Sequence, residues 1–107
     1  MAREQLKTLT EQMYYILLIL LEPNHGYSIM QEVDKTTEGR VKIGAGTLYN
    51  LLSRFEEEGI IRQLREEDRR KIYVITEKGL DILQEEYQRL LILIEDGKRL
   101  FERGKIE

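Results

Sequence analysis

The stretch Gly46-Thr47-Leu48-Tyr49-Asn50-Leu51-Leu52-Ser53-Arg54-Phe55-Glu56-Glu57-Glu58-Gly59-Ile60-Ile61 decides how this chain folds. Leu48, Leu51, Leu52 and Phe55 recur at the spacing of a helix with one buried stripe. Gly59 is a helix stop, because glycine enters the left-handed conformation at little cost. Ile60-Ile61 then begins an apolar strand. Thr47, Tyr49, Asn50, Ser53 and Arg54 fall on the opposite face of the helix, and all five carry groups that can bond phosphate oxygens or reach base edges.

Downstream, residues 60–65 and 71–75 predict two strands joined by the charged turn of residues 66–70. Upstream, a brief extended piece over residues 41–43 leads into the helix. A second helix is predicted from about His25 to Val33, closing at Thr36-Thr37-Glu38-Gly39. A first helix starts with Thr10 as its N-cap, runs to about Leu21 and is ended by Glu22-Pro23-Asn24-His25-Gly26. That first helix is apolar on nearly every side, so it needs cover from two surfaces, one of them on another molecule. Three helices followed by a hairpin give a mainly α fold with a small β-hairpin, the winged helix-turn-helix arrangement of DNA readers.

From Thr76 the pattern is one long helix, with Thr76 as cap and Glu77 in the first turn. Leu80, Leu83, Tyr87, Leu90, Ile94, Gly97 and Phe101 alternate at three- and four-residue steps, the seam of a two-stranded coiled coil. The glycine in that seam allows close approach or a bend. A helix over residues 77–103 is about 40 Å long, more than a small domain can bury by itself. The division expected is a winged-helix domain over residues 1–76 and a dimerisation helix over residues 77–107, with a homodimer as the assembly.

Composition narrows the partners. The 107 residues carry a net charge of -3, so contact with nucleic acid has to come from a local basic patch. Arg62, Arg65, Arg69, Arg70 and Lys71 supply one, against Glu66, Glu67 and Asp68. The absence of cysteine excludes disulfides and suits a reducing compartment, so a cytoplasmic location is expected. The apolar run of residues 13–21 begins too late for a signal peptide and is shorter than the roughly 20 residues that span a bilayer. No membrane association is expected.

His25-Gly26-Tyr27, Gly46-Thr47-Leu48-Tyr49, residues 54–61, and Arg69-Arg70-Lys71-Ile72-Tyr73 before Thr76-Glu77-Lys78-Gly79 together resemble the PadR family of transcriptional regulators. The resemblance spans about residues 17–79, and the C-terminal segment is similar to the dimerisation helix of the family's short members. It implies a winged helix, a homodimer, binding to a double-stranded DNA operator, and repression relieved by an aromatic or drug-like effector. Position 50 is Asn where the family commonly has proline, which adds an amide able to read adenine. The hairpin tip lacks the family's frequent glycine. The Asp-Arg-Arg of the hairpin is also found in MarR-type regulators, for which this chain is short.

The DNA-facing candidates are Tyr27, Thr47, Tyr49, Asn50, Ser53, Arg54, Arg69, Arg70 and Lys71. Tyr27 and Tyr49 are read as phosphate contacts, and Arg69, Arg70 and Lys71 as wing-tip groups for the minor groove or its flanking phosphates. Met13, Tyr14, Tyr15 and Tyr87 are candidate lining for an effector, on the two helices expected at a dimer interface. A single histidine and no cysteine leave no metal set, and no cofactor is implied. Gly44-Ala45-Gly46 is no phosphate loop, and the carboxylates fall in solvated helical runs with no nucleophile and base to pair, so an enzyme is not indicated. A winged helix used to dock another protein is the alternative from a different class.

Overall fold

Thr10 opens the first helix through its side chain, whose Oγ1 accepts from the Met13 N–H at 3.2 Å. The computed structural model describes residues 8–104. The expected division at residue 76 therefore includes residues 1–7 and 105–107, which lie outside the described residues. Helix α1 spans Glu11–Ile19, α2 Gly26–Thr36, α3 Ala45–Glu57, and α4 Glu77–Gly104; strands β1 (Ile61–Glu67) and β2 (Arg70–Ile75) separate the third and fourth helices.

The first helix ends two residues earlier than its apolar run suggests. Leu20 is its C-cap, and Leu21 and Glu22 continue in looser turns, with Leu21 half exposed. Met13, Ile16, Leu17 and Leu20 enter the core, while Tyr14, Tyr15, Leu18 and Ile19 are only partly covered. One chain thus covers one side of α1 well and the other side incompletely.

The second helix closes on Thr37, a buried residue whose Oγ1 donates to the Val33 carbonyl at 2.9 Å and accepts from the Val41 N–H at 3.0 Å. The turn behind it passes through Glu38 and Gly39, both with positive φ. Val41 and Ile43 are buried around an exposed Lys42, but residues 41–43 join no strand. The third helix ends as its sequence predicts. Gly59 has φ 74°, its N–H bonds the Glu56 carbonyl, and Ile60 N–H bonds the Phe55 carbonyl at 2.8 Å. This is a complete Schellman closure.

The hairpin differs from expectation. Its ladder continues to Glu67 opposite Arg70, so the turn is two residues, Asp68-Arg69, and not five. Both have positive φ, 49° and 65°, as a type I′ turn requires. That turn matches the right-handed twist of the strands, which lets the charged residues on both sides of it pair as strand. The ladder also shifts register between Gln63 and Arg65. Asn24 forms an isolated bridge with Tyr73, donating at 2.9 Å and accepting at 2.8 Å, and so ties the start of α2 to the wing.

The core joins α1, α2 and α3 to the base of the hairpin, with Ile16, Leu17, Ile29, Leu48, Phe55 and Ile60 fully enclosed. Thr76 caps α4: its Oγ1 accepts from Gly79 N–H at 3.1 Å and donates toward the Gly59 and Ile60 carbonyls. A Cβ on Gly79 would overlap the Ile60 carbonyl oxygen, so α4 starts pressed against the chain that leaves α3. Gly79, Leu83 and Glu86 are the buried residues of α4, one face of its first three turns.

Two expectations for this helix do not hold. Leu83, assigned to an intermolecular seam, is 4% exposed in the chain's own core. Glu86, read as one of the solvated carboxylates, is 3% exposed and accepts from Arg89 Nε at 2.9 Å and Nη2 at 2.6 Å. The Arg89 guanidinium holds its pKa below the usual glutamate value, with the Leu9 backbone N–H adding to the effect against burial. Among the described residues, none in the second half of α4 is buried. Ile92, Leu93, Ile94, Leu100 and Phe101 are at least half exposed, and the helix runs unbroken through Gly97.

Candidate nucleic-acid interface

The exposed face of α3 divides in two. Thr47 and Asn50, one turn apart, point away from the body, while Tyr49 and Ser53 stand beside the wing. Between the start of α2, α3 and the wing lies a concave pocket of about 360 Å³. His25, Gly26 and Tyr27 form one wall, Tyr49, Leu52 and Ser53 another, and Arg69, Arg70, Lys71 and Tyr73 the third. Six of the nine sequence-derived DNA candidates therefore meet in one place. Thr47 and Asn50 lie outside it, on the outer face of α3.

Arg54 is the exception. Its Nε donates to Glu58 at 2.9 Å, one turn along α3, and the side chain is half-buried. The pair holds the guanidinium at the end of the helix, away from the pocket. Tyr73 joins the site although it is not among the DNA-facing candidates, being read only as part of the Arg69–Tyr73 run that carries the resemblance. It is buried in the pocket wall, and burial above all, then Glu56 and Tyr49, raises its pKa.

His25 caps α2, its Nδ1 accepting from the Ser28 N–H at 3.4 Å. On the other side of the ring, Nε2 lies 3.4 Å from Arg70 Nη1. The wing tip is thereby laid against the start of α2. Three cationic side chains of the wing share this pocket in a chain whose net charge is -3. Glu66 opposes Lys71 and Glu67 opposes Arg70 across the ladder, whereas Arg69 sits at the turn with no ion pair among the described residues.

On α1, outside this pocket, Tyr14 and Tyr15 meet edge to face with centroids 5.9 Å apart. Arg40 Nη2 donates to the Tyr15 hydroxyl at 2.8 Å. Burial chiefly, then Tyr87, Tyr15 and Glu86, raises the pKa of Tyr14, which places Tyr87 near the pair. Met13, the fourth candidate for effector lining, is instead in the core at 6% exposure, because the buried stripe of α1 passes through it.

Residues 16–85, most of the chain, match the model of the Transcriptional regulator PadR-like family. The chain belongs to the PadR-like family of transcriptional regulators. The fold agrees with solved PadR relatives. A PadR family transcriptional regulator from Eggerthella lenta is 28% identical, with 84% of this chain and 80% of that chain covered at a TM-score of 0.72. A PadR-like transcriptional regulator from Bacillus cereus is 30% identical, with 83% and 89% covered at 0.69. A transcriptional regulator from Clostridium thermocellum, at 23% identity, shares the fold at a TM-score of 0.73 over 82% and 87% of the two chains.

The chain is also 30% identical over 81 residues to an uncharacterized 37.1 kDa protein in a transposon of Streptomyces fradiae, covering 76% of this chain. It spans 23% of that relative's length. PadR-like proteins are regulators and not enzymes, and no helix among the described residues is long and apolar enough to cross a membrane.

Proposed function

We propose that this PadR-like chain is a dimeric, sequence-specific DNA-binding repressor. The observation that carries the reading is the cationic pocket in which the start of α2, the recognition helix α3 and the wing tip converge, within an acidic chain. Helix α3 enters the major groove with Thr47 and Asn50 toward base edges, and Ser53 stands at the border of the pocket. Tyr27, Tyr49, Arg69, Arg70 and Lys71 meet the backbone on either side. Two such units sit about one helical turn apart on a two-fold operator.

The second copy is held by the apolar side of α4 that the chain's own core leaves uncovered. Leu80 and Leu90 are half-buried, while Tyr87, Ile94 and Phe101 are exposed. The partly covered face of α1 is the second element of the interface. Residues 8–76 act as the DNA-binding part and α4 as the dimerisation part. Tyr14, Tyr15 and Tyr87 are the aromatic groups left for a planar effector near that interface, and such a ligand acts by favouring a different spacing of the two α3 helices.

A gel shift with the DNA upstream of its own gene, repeated over a range of salt, tests the function. A discrete complex weakening steeply with salt is expected. No complex with any genomic fragment, together with capture of a partner protein through α3 and the wing, would establish the protein-docking alternative. Within the complex, Asn50→Ala should change sequence preference, whereas Tyr49→Phe should weaken all duplexes alike.

A further inference from the structure

Gly26 opens α2, where its φ is outside the left-handed region, so the backbone there admits any residue. Glycine at a helical position forfeits stability that alanine would supply. Its neighbour on α3 explains it. A Cβ at position 26 would stand 2.6 Å from Tyr49 Oη and 2.8 Å from Cε1 and Cζ of the same ring. These atoms are the far end of a side chain 52% exposed, so the ring, and not the backbone, would give way. Gly79 is the contrasting case, since there the obstruction is the Ile60 carbonyl.

We propose that Gly26 is a positioning residue for Tyr49: its missing side chain is the seat that fixes the tyrosine ring against α2, with the hydroxyl at the pocket shared by Ser53, Arg69, Arg70 and Lys71. The proposal rests on the reading of that pocket as the surface that meets the DNA backbone. The Tyr49 hydroxyl has no hydrogen bond to another described residue, so it is available to an outside acceptor. A half-exposed tyrosine without a seat would lose rotamer freedom when it binds. One already held against α2 has lost it in advance, which improves affinity without any added charge.

The experiment uses the full chain carrying Gly26→Ala, Tyr49→Ala, or both. Gly26→Ala should resist denaturant as well as the parent or better, yet bind a random-sequence duplex at low salt roughly three- to tenfold more weakly. Added to Tyr49→Ala, it should cost nothing further. The Gly26 α-protons should carry a ring-current shift that vanishes in Tyr49→Ala, a readout that needs no DNA. Parent-like binding by Gly26→Ala, an equal loss in both backgrounds, or α-protons indifferent to the ring would each overturn the seat. A parent that binds no duplex while the ring shift persists would overturn the DNA reading and uphold the seat.

Discussion

Replacing Arg69 with glycine should stabilise the fold and weaken DNA binding together, because this residue carries both a backbone strain and a charge. Its φ of 65° lies in the left-handed region that costs a non-glycine residue about 1–2 kcal/mol. Glycine removes that cost but gives the unfolded chain more freedom, worth about 0.5–1 kcal/mol against folding. The net expected gain is up to about 1.5 kcal/mol, read as a higher urea midpoint with unchanged slope. The charge effect is separate. Each cation taken off a phosphate lowers the slope of log affinity against log salt by about 0.9, so removing one from each subunit of a dimer should lower it by about 1.8. Fluorescence anisotropy of a labelled duplex at several salt concentrations measures that slope. Arg69→Ala is the control: it removes the same charge and keeps the left-handed strain, so it should match the slope change without the gain in stability. A lower urea midpoint for Arg69→Gly would refute the strain argument, and an unchanged slope for both variants would take Arg69 off the DNA backbone.

Three further outcomes follow from the packing. Gly79→Ala should destabilise by about 1–3 kcal/mol, since α4 must move off the Ile60 carbonyl and loosen its Thr76 cap; a urea midpoint equal to the parent's would contradict this. Glu86 has a depressed pKa, so its contribution is complete above the ordinary glutamate range and disappears as pH falls through the lower folded value. Glu86→Gln should therefore reduce stability at neutral pH and flatten its acid dependence, measured as urea midpoints down the acid range. Ile94→Glu with Phe101→Glu, at positions 62% and 78% exposed, should yield a folded monomer by sedimentation, and a dimer of parental affinity would remove the outer half of α4 from the interface.

Features written in neighbouring residues were legible in the amino-acid sequence. Thr10 and Thr76 cap helices through the N–H three residues on, and α3 closes at Gly59, whose N–H reaches three residues back while that of Ile60 reaches five. Each depends on side chain, spacing and backbone freedom alone, which is why helix starts and stops were readable. Of the stripe expected from helical period, Leu48, Leu52 and Phe55 are buried and Leu51 only partly so, and the exposed face carries Tyr49, Asn50 and Ser53. The order of elements, and hence the winged-helix fold, came from such local signals in sequence.

Tertiary structure decided which of two apolar directions a helix uses and which distant groups share a space. Period alone places Leu83 in a seam with Tyr87 and Ile94, but the Thr76 cap and the close approach at Gly79 rotate the first turns of α4 into the domain. Leu83 and Glu86 are buried as a result, and the uncovered apolar surface begins farther along the helix. The wing is a similar case. Charge content suggests a five-residue loop, while twist compatibility folds all but Asp68 and Arg69 into strand. Gly26 beneath Tyr49, and Arg70 against His25, join residues far apart in the chain through the packing of α2 on α3 and the bridge between Asn24 and Tyr73. No spacing rule relates such pairs, because the distance between them is set by how helices and hairpin pack and not by the period of any one element.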